Sequence, residues 1–212
     1  MSEIKQKAYR LLQSPYVTPV NSIIIVCNIV LFLVIEFTGS TLNSECMLSW
    51  GASTAELVIV QRQYYRLFME MFLHFGIEHL LGNMLLLVIM GSALERNIGK
   101  IRYILVYFGS GLAAGTASVI YHWHIGEGMI VCAGASGAIF GVVGGIIYLI
   151  IENHGVLEQF NIRTMIIFLI LNFYTGNDSA GIDMVAHFGG LILGLLLTFL
   201  LNRLFWKEKR DS

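Results

Sequence analysis

Six stretches of this chain are apolar, and crossing a bilayer with a helix takes roughly 17–25 such residues. They read as helices over about 20–36, 71–94, 103–121, 136–151, 163–174 and 184–205, the first opened by Pro19 as a helix-start signal. The fourth and fifth are short for spans. Charged residues make up 13% of the 212, against about 25% in a soluble domain, so little sequence remains for a second, water-soluble unit. A long loop between the first two runs, with Trp50, Tyr64 and Tyr65, is mixed rather than plainly hydrophilic. The expected architecture is an all-α integral membrane protein, a bundle of six transmembrane helices whose central helix is short and Gly-rich. An N-terminal segment 1–18 and a tail 207–212 would flank a single domain over 19–206. The first eighteen residues are polar and carry no signal-peptide pattern.

Eleven of the thirteen Lys and Arg residues fall on one side of such a bundle: in the N-terminal segment, near 96–102, at Arg163 and after Arg203. Basic loops stay cytoplasmic, so both termini are expected inside the cell membrane. Only Arg62 and Arg66 fall on the other side. A formal net charge of −1 gives nucleic acid no purchase, and Cys27, Cys46 and Cys132 have neither the number of a disulfide framework nor the spacing of a zinc site.

Residues 133–145, AGASGAIFGVVGG, hold one hydroxyl, Ser136, among glycines. Gly137, Gly141 and Gly145 recur every four residues, giving a helix one face without side chains, against which a neighbour can pack closely. The second, fourth and sixth runs cross in the same direction, so their first turns share a depth near the outer face. There lie His74, His79 and Asn83, then Ser136, then His187. Polar groups inside a membrane are costly unless paired or wetted, and they read by default as a functional site. A serine hydroxyl becomes a nucleophile when imidazole takes its proton. His187 is the candidate base, on a helix where Gly190 and Gly194 favour close contact with another small-faced helix. His79 and Asn83, at i and i+4, can both donate to an oxyanion, as can the Ser136 backbone N–H at its helix start.

With these residues in view, the sequence resembles the rhomboid family of intramembrane serine proteases. GASG around Ser136 is similar to the family's GxSG, and AHFGGLILG around His187 to AHxxGxxxG. HLLGN, with His79 and Asn83, matches HxxxN; GSALERNIG, with Gly91, Glu95 and Gly99, matches GxxxExxxG. The resemblance implies a Ser136–His187 dyad and an oxyanion hole of His79, Asn83 and the Ser136 N–H. It implies Gly134, Gly137, Phe140 and Gly190 as supports of the site. It further implies a serine endopeptidase that cuts single-span membrane proteins near their outer end, within the lipid bilayer, with the site facing the extracytoplasmic side. Neither cofactor nor metal is expected. The family's Trp-Arg pair is here Tyr65-Arg66, and the aromatic four residues after the nucleophile, often Tyr, is Phe140, which can stack on His187 but not hydrogen-bond.

Other residues carry structural expectations. Asp183, four residues before His187, is expected to cap the sixth helix rather than serve as a third catalytic member. Glu95 and Arg96 are expected to form an ion pair or anchor a loop. His122 and His124 lack a third metal ligand in the sequence, and His154 falls on the cytoplasmic side. Ser92, Ser110 and Ser118 are expected to be packing hydroxyls. The segment 176–183, GNDSAGID, is expected to cover the site. Three rival functions make distinct demands. A non-catalytic membrane chaperone would not need both Ser136 and His187. A transporter or channel would continue its polar residues to the inner half of the spans. A lipase elbow, G-x-S-x-G, would need Gly at Ala138.

Overall fold

The computed structural model describes residues 14–176 and 183–211, with side chains described over 14–173 and 183–204. Helix α1 (Pro19–Thr38) leads into a folded loop containing α2 (Ser44–Ser49), a π turn (Glu56–Val60), α3 (Arg66–Met69) and a 3-10 turn (Glu70–Phe72). Next come α4 (Gly76–Ile98, with a π turn at Leu87–Gly91), α5 (Lys100–His124) and α6 (Ser136–Glu152). A two-residue hairpin, β1 (Val156–Leu157) against β2 (Phe160–Asn161), precedes α7 (Ile162–Gly176) and α8 (Met184–Asp211). Helices α1, α4, α5 and the 184–204 part of α8 are long and apolar enough to cross a membrane; α6 and α7 are shorter apolar helices. Helices suit lipid because each backbone N–H and C=O finds its partner within the segment.

The second span starts later than its apolar pattern suggests. Met71 and Phe72 close the 3-10 turn, residues 73–75 are not helical, with Leu73 and Phe75 extended, and α4 opens at Gly76 with φ +76°. His74 therefore sits ahead of the helix rather than in its first turn. The expected cover over 176–183 falls mostly on 177–182, outside the described residues.

Helix α6 is the axis of the bundle, with twelve of its seventeen residues buried. Its glycine face works in two directions. A Cβ on Gly137 would lie 2.6 Å from the Ala114 Cβ of α5, and one on Gly141 would run into the Ser110 hydroxyl. On α8, a Cβ on Gly190 would collide with the Gly137 carbonyl oxygen, and one on Gly194 with that of Gly141. Backbone thus meets backbone between α6 and α8, and dispersion over that contact replaces the hydrophobic drive that lipid does not supply.

Glu95, near the far end of α4, accepts hydrogen bonds from the N–H groups of Val20 (3.1 Å) and Asn21 (2.8 Å). It caps the start of α1, whose first N–H groups have no intrahelical partner, and a carboxylate is favoured there by the helix dipole. The Tyr103 hydroxyl donates to Asn21 Oδ1 (2.7 Å), and Asn21 Nδ2 donates to the Leu87 carbonyl (2.7 Å) at the start of the π turn. Arg96 pairs instead with Glu158 beside the hairpin, at 2.6 Å. The anchoring role expected of Glu95 and Arg96 is met by two separate partners.

At the other end the long loop is built on Arg66, only 8% exposed. Its Nη1 donates to the carbonyls of Leu48 and Ala52, both at 2.7 Å, and its Nε to Gln63 at 2.6 Å.

Candidate active site

The turn leading into α6 is held by the long loop. Ser53 and Cys132 exchange backbone hydrogen bonds (3.0 and 2.8 Å), and the Gly134 N–H donates to the Glu70 carbonyl (2.9 Å). Gly134 has φ +149°, and a Cβ there would lie 2.9 Å from the His79 ring, so this position needs glycine for both conformation and space. The chain then enters α6 at Ser136, whose N–H, at the first helical position, has no acceptor within the helix.

A cavity of about 420 Å³ is lined by His79 and Asn83 of α4, Ser136 and Phe140 of α6, Phe168 and Asn172 of α7, and His187 of α8. Ser136, His187, His79 and Asn83 therefore share one space, while His74, expected at the same depth, does not line it. His187 stacks on Phe140 (centroids 4.1 Å apart, planes 12° apart), and Phe140 in turn meets Phe173 at 5.7 Å. Among the described residues, Ser136 Oγ and His187 make no hydrogen bond with each other, and His187 Nδ1 and Asn83 Nδ2 are buried without a partner.

Asp183 is the cap expected of it. Its Oδ1 accepts from the Ala186 N–H at 2.8 Å, while Oδ2 turns away from His187 to the Ser118 hydroxyl. Ser118 is therefore more than a packing hydroxyl, unlike Ser110, which bonds back to the Val106 carbonyl. His74 accepts from the Ala135 N–H at 3.5 Å and meets the His79 ring edge-on at 5.1 Å, supporting His79 from behind. His124 bonds the Ile120 carbonyl within its own helix.

A second cavity, of about 180 Å³, adjoins the first through Ser136 and is lined by Glu70, Ser118, His122, Cys132 and Asp183 among others. Sequence reasoning missed Glu70 and Cys132 here, since Cys132 and Asp183 are 51 residues apart and only the fold joins them. Burial pushes the Glu70 carboxyl up to about 8; the nearby Ser53 hydroxyl works against this and the facing Asp183 carboxylate adds to it.

Comparison with known proteins identifies the family. The rhomboid domain family model matches residues 61–204. The chain is 34% identical to rhomboid protease GluP of Bacillus subtilis over 170 residues, 80% of this chain and 32% of that protein. It is 30% identical to RHOMBOID-like protein 7 of Arabidopsis thaliana over 179 residues, 82% of this chain and 54% of that protein. The chain thus spans about a third to a half of the length of these relatives. With more than half its residues inside the family's domain, the chain belongs to the rhomboid family.

Proposed function

We propose that this chain is an intramembrane serine endopeptidase that cuts single-span membrane proteins near the outer end of their transmembrane helix. The observation that carries this reading is the one cavity shared by Ser136, His187, His79 and Asn83. Family membership and the similarity to a relative named as a protease support the reaction class.

In this reading Ser136 attacks the scissile carbonyl and His187 takes its proton. His187 then returns the proton to the leaving amine, and water hydrolyses the acyl-enzyme. The reading is of a dyad: the carboxylate nearest in sequence, Asp183, caps α8 and bonds Ser118, and the stack on Phe140 supports the imidazole's orientation. The oxyanion is held by His79, the orphaned Asn83 amide and the Ser136 N–H, each donor worth about 2.7–4 kcal/mol in the transition state. Leu85 and Leu86 of α4 and Phe168 of α7 also line the cavity, giving a substrate helix an apolar lateral route between α4 and α7. A substrate with Gly or Pro near the cut unwinds more readily. The distribution of Lys and Arg supports cytoplasmic termini and a site toward the extracytoplasmic face of the cell membrane.

The test is cleavage of a model single-span substrate in liposomes by the purified protein, beside Ser136→Ala and His187→Ala. The expected result is cutting by wild type alone, with all three proteins folded. Continued cutting by Ser136→Ala would remove Ser136 as nucleophile. A folded wild type that cuts none of several varied substrates would favour a non-catalytic binding role.

A further inference from the structure

The second cavity contains a set of groups that peptide hydrolysis does not use. His122 lies in the last turn of α5, Cys132 in the turn before Ser136, and Asp183 just before α8. Their ligand atoms all lie within 4.8 Å of one another. His122 Nε2 is 3.7 Å from Asp183 Oδ2, and Cys132 Sγ is 3.8 Å from the same oxygen. A tetrahedral zinc with ligands at about 2.0–2.3 Å separates its ligand atoms by roughly 3.3–3.6 Å. The two separations to Asp183 are within a few tenths of an ångström of that, and the His122–Cys132 separation, at no more than 4.8 Å, closes with a rotamer adjustment of about an ångström.

Two further observations point to a ligand. Glu70 is 6% exposed, lines the same cavity and leaves its carboxylate Oε2 buried without a hydrogen-bond partner. His122 Nδ1 is also unpartnered; Glu127 Oε2 lies 3.7 Å away, too far for a hydrogen bond as it stands, and a small shift would let that carboxylate orient the ring as carboxylates orient metal-bound histidines.

We propose that His122, Cys132 and Asp183 bind one divalent transition-metal ion, zinc by the mixture of imidazole, thiol and carboxylate, with Glu70 available as fourth ligand. On binding, the Cys132 thiol gives its proton to solvent and coordinates as thiolate. Cys132 lies four residues before Ser136 and Asp183 four before His187. The ion therefore ties together the two segments that deliver the candidate dyad, and fastens both to the end of α5. The site does not depend on the proposed peptidase activity.

The full chain, purified in detergent and stripped with EDTA, is titrated with Co²⁺ as a spectroscopic stand-in. The expected result is one cobalt per chain, with the visible bands of tetrahedral Co²⁺ and a near-ultraviolet thiolate-to-cobalt band, both displaced by Zn²⁺. Cys132→Ser removes the thiolate band. His122→Ala and Asp183→Asn each weaken binding, and Glu127→Gln weakens it by ~10-fold through His122. His124→Ala, whose imidazole bonds within α5, changes nothing. Zn²⁺ raises the thermal midpoint of wild type and not of the His122→Ala/Cys132→Ser double variant. If Cys132→Ser does not fold, loss of the visible bands in His122→Ala carries the same information. Absence of the thiolate band in wild type, or equal zinc uptake by wild type and the folded double variant, overturns the proposal.

Discussion

Replacing Gly190 with alanine tests whether the contact between α6 and α8 sets the geometry of the candidate dyad. The new methyl would collide with the Gly137 carbonyl oxygen and sit 3.0 Å from the Gly137 carbonyl carbon, where ordinary contact begins at 3.4 Å. The obstacle is backbone on both sides, so no side chain can swing aside and the helices must part by on the order of 1 Å, at a cost of about 1–3 kcal/mol. Gly137 follows Ser136 and Gly190 is three residues beyond His187, so the same displacement widens the gap between nucleophile and base. A misplacement of that size costs on the order of 100-fold in rate. The assay is substrate cleavage in liposomes, with a thermal melt in detergent alongside. Gly128→Ala is the control, since a Cβ there makes only ordinary contacts, the nearest at 3.5 Å, and Gly128 lines neither cavity. Full activity and an unchanged midpoint in Gly190→Ala would refute the claim that this backbone contact positions the dyad.

Four other perturbations follow from single features. Gly134→Ala forces an alanine into φ +149° against the His79 ring, so cleavage is expected to fall with only a modest loss of thermal stability. Arg66→Ala leaves the buried Ala52 carbonyl without its donor, at about 1–3 kcal/mol, while the Leu48 carbonyl keeps the Gly51 N–H; Arg66→Lys should recover only part of the lost thermal midpoint, because a lysine does not reproduce the guanidinium fork. Asn83→Ala is expected to lower kcat by about 10²–10³ while folding is retained, and an unchanged kcat would remove it from the oxyanion hole. For Glu70, raised from 4.5 to about 8 by burial, the folded protein keeps a proton that the unfolded chain loses between those values. Its contribution is whole below 4.5 and falls as pH rises through about 8, so with EDTA present Glu70→Gln should flatten the decline of thermal midpoint across that window.

The bundle was legible in the sequence because apolar length and small-residue spacing are local signals. The boundary before α4 was not. Met71, Phe72, Leu73 and Phe75 are as apolar in a 3-10 turn and the extended link after it as they would be in a span; the extended backbone at Leu73 and Phe75 and the positive φ at Gly76 separate the two. The shared depth of Ser136, His79, Asn83 and His187 followed from topology, and their convergence on one cavity agrees with it. Glu95 looked like half of an ion pair because its neighbour is Arg96. Its acceptor role toward the α1 backbone is a contact 75 residues away that no periodicity encodes. The grouping of His122, Cys132 and Asp183 was hidden for the same reason: three separate segments supply one ligand each.

That reach from Glu95 back to α1 also sets an order on biogenesis. The first span leaves the ribosome with its leading N–H groups uncapped, and the carboxylate that completes them lies 75 residues behind Val20. At about 5–20 residues per second, roughly 4–15 s of further synthesis separate the two. Only 28% of the most apolar part of α1 is buried, so little else fastens it to the bundle. Helix α1 therefore waits in the bilayer as a loose stave, with its end served by water or lipid headgroups, until α4 arrives to pin it.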